Sequence, residues 1–274
     1  LAAGKGVTIC KNKDSVLRVA DEIFGGKFKS SKKLVLEEFL EGEELSYFIV
    51  ADRFNYSFIG SAQDHKRVGE RETGPNTGGM GAYSPSPILN KKLENKIKRK
   101  IIMPTLKALK YKKKYYSGFL YIGLMIKKNE PFLIEFNVRM GDPECQVILP
   151  TLKTDFFDIV LAVVNNNLKK IKIKWKNLKC MTIVICAKGY PKKYIKNINL
   201  GVLKKIKLDK NSYIFHAGTQ LLNDNILSSG GRILNVTSSG KNFKSIRKKI
   251  FSNIKKLSLR NSFFRRDIGW RIIK

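Results

Sequence analysis

The sequence has few of the residues on which metal, disulfide and nucleophilic sites most often depend. Its 274 residues include two histidines and four cysteines, and no two of the cysteines form a CxxC pair. Neither a disulfide framework nor a zinc site of thiolates or imidazoles is indicated, so a bound metal would need oxygen ligands. A Ser-His-Asp arrangement would have to use His65 or His216, which argues against that class of enzyme.

Long apolar runs are missing as well. No run approaches the roughly 20 residues that span a bilayer, and the first residues do not resemble a signal peptide. With 43% hydrophobic residues, the chain is typical of a globular protein long enough for more than one domain. We therefore expect a cytoplasmic protein with no membrane partner.

Acidic residues are scarce: 22 Asp and Glu stand against 54 Lys and Arg, a net charge of +32. Such a charge can indicate a nucleic-acid-binding module, because lysine and arginine release counterions from a phosphate backbone. The excess is mostly lysine, however, and the lysine-rich segments 91–114 and 168–179 lack the evenly spaced aromatics of a base-stacking surface. Solvated lysine-rich faces are the favoured interpretation, and we expect no nucleic-acid partner.

Hydrophobic periodicity predicts a mixed α+β chain. The predicted helices are 14–24, an amphipathic helix over 93–109 kinked at Pro104, 155–165 and 243–257. The predicted strands are a buried strand at 34–40, hairpins 45–51/56–61 and 119–126/132–138, and strands 180–187, 213–217 and 231–236. Residues 63–87 are predicted to form a long polar, glycine-rich loop, a kind of segment that is usually functional or disordered.

The stretch LIEFNVRMGDPE, residues 133–144, carries the strongest chemical signal. Read as a strand, it places Phe132, Ile134, Phe136 and Val138 on a core face and Leu133, Glu135, Asn137 and Arg139 on the other face. Glu135 and Asn137 would then lie about 6.6 Å apart along the strand. They could hold a hard cation such as Mg²⁺ that also binds substrate phosphates, with Arg139 meeting the same anion. A half-exposed strand face with a surface ion pair is the alternative.

Three further segments could bind an anionic ligand, and each has a simpler interpretation. Gly4, Lys5 and Gly6 could bring N–H groups and an ammonium onto a polyphosphate, or form a plain turn. The stretch EEFLEGEE, residues 37–44, could present a strand edge to a purine and a carboxylate to ribose, or be a solvated acidic turn. The loop 63–87 combines basic residues with the flexible run 77–81, or is merely rich in turn residues.

Taken in order, several motifs resemble the phosphoribosylamine-glycine ligases, a family of ATP-grasp enzymes. The motifs are LAAGKGV, EEFLEGEE, SAQDHKRVGERETGPNTGGMGAYSP, GFLYIGLMI, IEFNVRMGDPE, HAGT and RRDIGWR. The resemblance runs from residue 1 to the end. It implies a partial ATP-grasp fold followed by a small, mostly β C-terminal domain. It also implies ATP-dependent joining of glycine to 5-phosphoribosylamine through a glycyl phosphate, giving glycinamide ribonucleotide, ADP and phosphate in de novo purine biosynthesis.

The same resemblance implies roles for individual residues. Glu135 and Asn137 would be the ligands of Mg²⁺ or Mn²⁺, and Arg139 the catalytic residue that contacts phosphate. The ATP-binding residues would be Gly4, Lys5, Gly6, Glu37, Glu38, Phe39, Leu40 and Glu44. The residues bordering the two substrates would be Asp64, His65, Lys66, Arg67, Thr77, Gly78, Gly79, Asp142, Pro143 and Glu144.

The resemblance also implies a domain organisation and a truncation. Residues 1–38 would be a remnant of the small ATP-grasp subdomain, 39–170 the subdomain with the metal and substrate sites, and 175–274 the C-terminal domain. The family's N-terminal domain, its first ATP-grasp strands and an ATP-contacting lysine would be missing, and the strand GFLYIGLMI offers no further metal carboxylate. The expectation is a monomeric ligase, with a catalytically inactive fragment of it or a basic nucleic-acid-binding module as alternatives.

Overall fold

The computed structural model describes residues 7–27 and 33–273. The strand pairs among these residues are antiparallel, some as hairpins and others between strands far apart in sequence. The strands are β1 (Glu43–Asp52), β2 (Asn55–Asp64), β3 (Arg67–Gly69), β4 (Thr73–Asn76), β5 (Gly81–Ser84), β6 (Gly118–Lys127), β7 (Glu130–Asn137), β8 (Lys179–Ala187), β9 (Ser212–His216), β10 (Thr219–Leu222), β11 (Asn225–Ser228), β12 (Arg232–Gly240) and β13 (Ser262–Phe263). The helices are α1 (Lys13–Glu22), α2 (Lys91–Ile97), α3 (Met103–Tyr111), α4 (Cys145–Ile148), α5 (Phe156–Val164) and α6 (Phe243–Leu257).

One nine-stranded sheet runs through the molecule in the order β7-β6-β1-β2-β5-β8-β12-β9, with β13 paired to β8. The pairing of β5 with β8 joins the half of the sheet that contains β7, β6, β1 and β2 to the half that contains β12 and β9. In this pairing Gly81 lies opposite Ile183, and Ser84 lies opposite Cys180. The pairs β3–β4 and β10–β11 form separate two-stranded sheets. Within the described residues, no helix is long and apolar enough to cross a bilayer.

Three apolar clusters hold the sheet and helices together. Helices α2 and α3 cover one face of β1 and β6, where Tyr47, Ile122 and Leu93 are buried. Helices α4 and α5 cover part of the other face around Phe48. Helix α6 packs on β8 and β12 through Ile246 and Ile250. The face that carries α4 and α5 also carries polar side chains further along the strands, which leaves room for a site there.

Most predicted elements are confirmed. Both hairpins form, and β6 and β7 are joined by a tight turn with positive φ at Lys128 and Asn129, so the predicted turn residues 130 and 131 belong to β7. Helix α5 begins after Asp155, whose carboxylate accepts from the Phe157 N–H, and α6 covers the predicted range. The helix predicted over 93–109 is helical from Lys91 to Tyr111 with a π-helical segment, Lys98–Ile102, just before Pro104.

Three predictions are wrong. Residues 34–40 form no strand, and Val35 and Phe39 are 81% and 59% exposed, because no strand in the described ranges lies beside them to pair with. Residues 63–87 are not one irregular loop, since β3, β4 and β5 lie within them. The supposed core face of residues 132–138 is exposed, and β7 is the edge strand of the sheet.

Candidate functional site

An open cleft of about 880 Å³ lies against the uncovered part of the sheet. Its lining brings together predicted residues from distant parts of the sequence: Glu37, Glu38, Phe39, Leu40, Glu44, Asp64, Lys66 and Arg67. Val7 and Ile9, Asn76 and Glu72 from the β3–β4 hairpin, residues 132–134 of β7, and Arg271 near the chain's end also border it. The predicted residues Gly4, Lys5 and Gly6 lie outside the described residues.

The strand register places Glu135 in a small recess that shares Glu44, Lys66 and Ile134 with this cleft. Ser46 pairs with Gly123, and Gly123 pairs with Glu135, so the three positions form a row across β1, β6 and β7. Opposed residues of antiparallel strands share a face. Gly123 leaves space in the row, because a Cβ there would lie 3.2 Å from the Glu135 Cγ. Glu44, Lys66 and Glu135 line one recess as a result.

A β-bulge interrupts the alternation predicted for β7. Gly123 opposes Glu135, but the next residue, Leu124, opposes Leu133, so Ile134 has no opposite residue. The bulge shifts Phe132 onto the face that carries Glu135 and Asn137. Bulges redirect side chains and are common beside active sites.

Glu135 and Asn137 lie together as predicted, and the Asn137 Nδ2 donates to the Glu135 Oε1 at 3.0 Å. No group of three or more His, Cys, Asp or Glu side chains in the described ranges could hold a metal by itself. The two oxygen-bearing side chains fit a Mg²⁺ ion that takes its other ligands from water and phosphate. Arg139 lies beyond the end of β7, exposed, and donates to the Met140 carbonyl at 2.9 Å.

An acid–base cluster lies beneath the cleft. The Lys66 Nζ is 2.7 Å from the Glu44 Oε2, and the Ser46 hydroxyl donates to the Glu144 Oε1 at 2.9 Å. Glu144 is buried, and burial raises its pKa despite the bond from Ser46. Burial opposes the charge of Lys66, but the neighbouring acidic groups, Glu44 among them, raise its pKa overall. The cluster therefore keeps one cation among several acidic groups.

Asp64 is the least satisfied member of this cluster. Its Oδ1 is buried and has no hydrogen-bond partner in the described part of the chain. Burial, together with the nearby charge of Glu144, raises the pKa of Asp64 well above its ordinary value. The side chain could therefore hold a proton or meet a positively charged ligand group.

The segment 77–79 covers Asp64. Thr77 holds it in place, because its N–H and hydroxyl both donate to the Lys66 carbonyl, at 2.7 and 2.8 Å. Gly79 has φ +110, and a Cβ there would lie 2.4 Å from the Pro143 Cδ and 2.8 Å from the Asp64 Oδ1. Only glycine allows this close approach.

Arg232 joins this segment to the GDPE motif. Its guanidinium pairs with the Asp142 carboxylate at 2.8 Å and donates to the Gly78 carbonyl. The Gly78 N–H donates to the Tyr190 hydroxyl at 3.0 Å. Asp142 and Pro143 thus lie beside Gly78 and Gly79, with which the family resemblance groups them.

His65 does not face the cleft. Its ring is fully buried, with Nδ1 3.3 Å from the Gly81 carbonyl, while Nε2 accepts from the Gly269 N–H. Burial and the nearby charges of Arg265 and Arg271 lower its pKa to about 3. A neutral ring between two backbone groups is suited to structural support rather than substrate contact.

Several residues of the site escaped sequence reasoning: Ser46, Gly123, Arg232, Arg265 and Arg271. Ser46 and Gly123 lie within hydrophobic strands, and only the strand register reveals their position. The arginines of RRDIGWR lie about 200 residues from the hairpin they approach. The sequence of the motif alone predicts no role for these arginines.

Comparison with known proteins identifies the family. The sequence pattern of the phosphoribosylglycinamide synthetase ATP-grasp (A) domain matches residues 1–145, and that of its C domain matches residues 180–271. The chain belongs to the phosphoribosylglycinamide synthetase family. The partial ATP-grasp fold with a mostly β C-terminal domain, expected from the motifs, is confirmed.

Named relatives agree with this family. A phosphoribosylamine–glycine ligase of Agrobacterium fabrum is 40% identical over 274 residues, which are all of this chain and 64% of the relative. The chloroplastic phosphoribosylamine–glycine ligase of Arabidopsis thaliana is 42% identical over 280 residues, 53% of its length. The chain thus spans less than two thirds of these relatives.

Solved structures show the same architecture. The phosphoribosylamine–glycine ligase of Thermotoga maritima superimposes with a TM-score of 0.87 at 31% identity, covering 97% of this chain and 66% of that one. The biotin carboxylase domain of the Hydrogenobacter thermophilus 2-oxoglutarate carboxylase, solved with MgADP, ADP and bicarbonate, gives 0.69 at 15% identity, covering 95% and 56%. The second likeness concerns the fold alone.

Proposed function

We propose that this family member carries the metal, nucleotide and substrate sites of an ADP-forming ligase that joins glycine to 5-phosphoribosylamine. The observation that carries the proposal is the recess shared by Glu44, Lys66 and Glu135. The recess joins two carboxylates and a cation and adjoins a cleft large enough for a nucleotide, and Asn137 lies beside Glu135. These groups suit an oxygen-ligand pair for a metal and a carboxylate for ribose. The names of the relatives supply the substrates.

In this proposal, ATP phosphorylates the glycine carboxylate, and the amine of phosphoribosylamine then attacks the glycyl phosphate. Glu135 and Asn137 would hold Mg²⁺ or Mn²⁺, which would neutralise charge on the transferred phosphoryl group. Arg139 would contact the same phosphoryl group as the catalytic arginine. Residues 37–40 would bind adenine and Glu44 the ribose, together with Gly4, Lys5 and Gly6 outside the described residues.

The remaining residues would serve the two substrates. Lys66 and Arg67 present positive charge to a phosphate or carboxylate, and Asp64 and Glu144 could meet an amine. Thr77, Gly78, Gly79, Asp142 and Pro143 would shape this end of the cleft and exclude water from the acyl phosphate. His65 would act by supporting Gly81 and Gly269, because both ring nitrogens face backbone groups.

The domain division is part of the same proposal: 1–38 and 39–170 as ATP-grasp subdomains, and 175–274 as the C-terminal domain. So is action as a monomer in the cytoplasm, without a nucleic-acid partner. Sedimentation velocity at several concentrations would test the monomeric state, because the mean sedimentation coefficient of a chain that dimerises rises with concentration.

Calorimetric titration with ATP, with and without Mg²⁺, tests the proposal. We expect Mg²⁺-dependent binding that persists at moderate salt. Formation of ADP with glycine and phosphoribosylamine, measured on this chain and on a version extended at its N-terminus, separates an active ligase from an inactive fragment. Polynucleotide binding that is tighter than ATP binding and falls steeply with salt would instead favour the basic module.

A further inference from the structure

The motif RRDIGWR forms a buried network with the β3–β4 hairpin, which borders the cleft. The Arg265 side chain is 1% exposed. Its guanidinium donates to both carboxylate oxygens of Asp267 at 2.9 and 2.8 Å, to the Glu72 Oε1 at 2.9 Å and to the Arg67 carbonyl at 2.9 Å. A planar fork with five N–H donors suits this arrangement, and a lysine could not reproduce it.

The network extends through backbone groups on both sides. Asp267 accepts from the Arg71 N–H at 2.7 Å, and Glu70 accepts from the Arg266 N–H at 3.2 Å. The Gly269 N–H donates to His65. Residues 265–269 thus contact the β3–β4 hairpin, and also His65 just before it, at several points.

The hairpin turn needs this support, because its backbone is strained. Arg71 and Glu72 have φ of 51° and 58°, in the left-handed region that side chains other than glycine avoid. Such residues persist where the surroundings fix them in place. Here the fixing contacts are the Arg71 N–H to Asp267 and the Glu72 carboxylate to Arg265.

The supported hairpin segment and the motif supply the basic residues of the cleft. Among the described residues that line the cleft, Lys66, Arg67 and Arg271 are the basic ones. Lys66 and Arg67 begin the hairpin segment, and Arg271 follows the motif. All three therefore depend on how residues 265–269 are seated, although two sequence segments supply them.

We propose that Arg265 is a positioning residue: through Asp267 and Glu72 it holds Lys66, Arg67 and Arg271 in place as a binding site for a phosphate-bearing substrate. This inference rests on the proposed function, in which one substrate carries a 5-phosphate. It assigns the phosphate to the hairpin end of the cleft, where Lys66 also borders the recess of Glu44 and Glu135. Arg265 itself is buried and would not touch the ligand.

The test compares the full chain with Arg265→Gln, Arg265→Lys, Glu72→Gln and, as control, Arg260→Gln. Arg260 is exposed and lies outside the network. Hydrogen exchange of residues 66–77 reports the hairpin directly, because the Arg71 N–H is bonded to Asp267. Titration with ribose 5-phosphate and, separately, with MgATP reports the two ends of the cleft.

For Arg265→Gln we expect exchange of the Arg71 amide to be faster by about tenfold or more, and ribose 5-phosphate binding to be weaker by a similar factor. MgATP binding should be weakened less than ribose 5-phosphate binding, because of the three basic residues only Lys66 also lines the recess of Glu44 and Glu135. Arg265→Lys should restore the positive charge but little of the protection of residues 66–77 against exchange. Glu72→Gln should cause a smaller loss of protection and of ribose 5-phosphate binding, and Arg260→Gln should behave as the unmodified chain. The milder Glu72 variant keeps the test open if Arg265→Gln does not fold.

Unchanged exchange at residues 66–77 in both Arg265 variants would overturn the positioning role. Equal loss of MgATP and ribose 5-phosphate binding would overturn it too, since that pattern indicates general destabilisation. If the unmodified chain binds MgATP but not ribose 5-phosphate, the phosphate assignment falls while the proposed nucleotide site remains. If it binds neither, the proposed function itself fails.

Discussion

Glu135 and Asn137 share one face of β7, and Glu135 lines the recess beside Gly123. We expect Glu135→Ala to abolish the Mg²⁺-dependent part of ATP binding, because a single amide ligand remains on the strand. Calorimetry with and without Mg²⁺ measures this. Glu130→Gln, at the other end of β7 where Lys96 and Lys100 pair with the carboxylate, is the matched control and should retain Mg²⁺ dependence. Near-normal Mg²⁺ dependence in Glu135→Ala would refute the metal assignment.

Asp64 should make the stability of the protein depend on pH. Its pKa in the folded chain is raised by burial and by Glu144, so on raising the pH the unfolded chain releases this proton first. The carboxyl therefore lowers the free energy of unfolding as pH rises above the ordinary aspartate range, and has little effect below it.

We accordingly expect Asp64→Asn to raise the thermal midpoint by a few degrees at pH 7 and much less at pH 4. Scanning calorimetry at the two values measures the difference. Asp21→Asn, which changes an exposed carboxylate on α1, should shift the midpoint little at either pH. An Asp64 effect of equal size at both values would show that packing, and not ionisation, is responsible.

At the scale of elements, the local sequence pattern predicts a strand or hairpin correctly where the segments that pair are also adjacent in the sequence. The hairpins β1–β2 and β6–β7 were predicted because their strands and turns are contiguous. Residues 34–40 have the composition of a buried strand but lack a strand beside them within the described ranges. Strand β5 was hidden in a polar loop: it pairs with the end of β2 at only two positions, and its other partner, β8, lies about 100 residues later.

The features of the candidate site divide in the same way, into those that depend on local sequence and those that depend on distant pairing. The Glu135–Asn137 pair could be predicted, since it depends only on strand periodicity close to the residues concerned. The bulge at Ile134 could not, because it is defined by pairing with β6. The Arg265 network could not either, because it joins residues nearly 200 positions apart and its arginines could equally be solvated.

The segment 77–79 offers a test at this scale. Gly79→Ala should lower the free energy of unfolding by about 1–3 kcal/mol, because the positive φ is strained for alanine and the new Cβ would meet Pro143 and Asp64. Urea denaturation measures this value. Gly25→Ala is the control: beyond its neighbours along the chain, no atom of the described residues would lie within 4 Å of a Cβ there, so stability should be kept. Similar stability of both variants would mean that the segment readily adopts another conformation.

At the scale of the whole molecule, the sheet joins regions that the family patterns separate. The two patterns cover residues 1–145 and 180–271, yet β5 and β8 pair across that division. Cys180 belongs to the apolar cluster around Phe48, and residues 171–175 pack on the same cluster. The lysine-rich segment between the patterns is thus held by packing through Ile171, Ile173 and Trp175.

Because the core continues across this junction, we expect the chain to unfold in one cooperative transition. The two tryptophans, Trp175 near the junction and Trp270 in the C-terminal segment, can be replaced one at a time by phenylalanine so that the other reports alone. Fluorescence of each variant and far-ultraviolet circular dichroism should then give coincident urea curves. Adding Ile183→Ala, which removes buried side-chain volume in β8, should shift all of these curves together by about 2–5 kcal/mol. Separate midpoints for the Trp175 and Trp270 signals would show that β5 and β8 can part, and that the two regions fold independently.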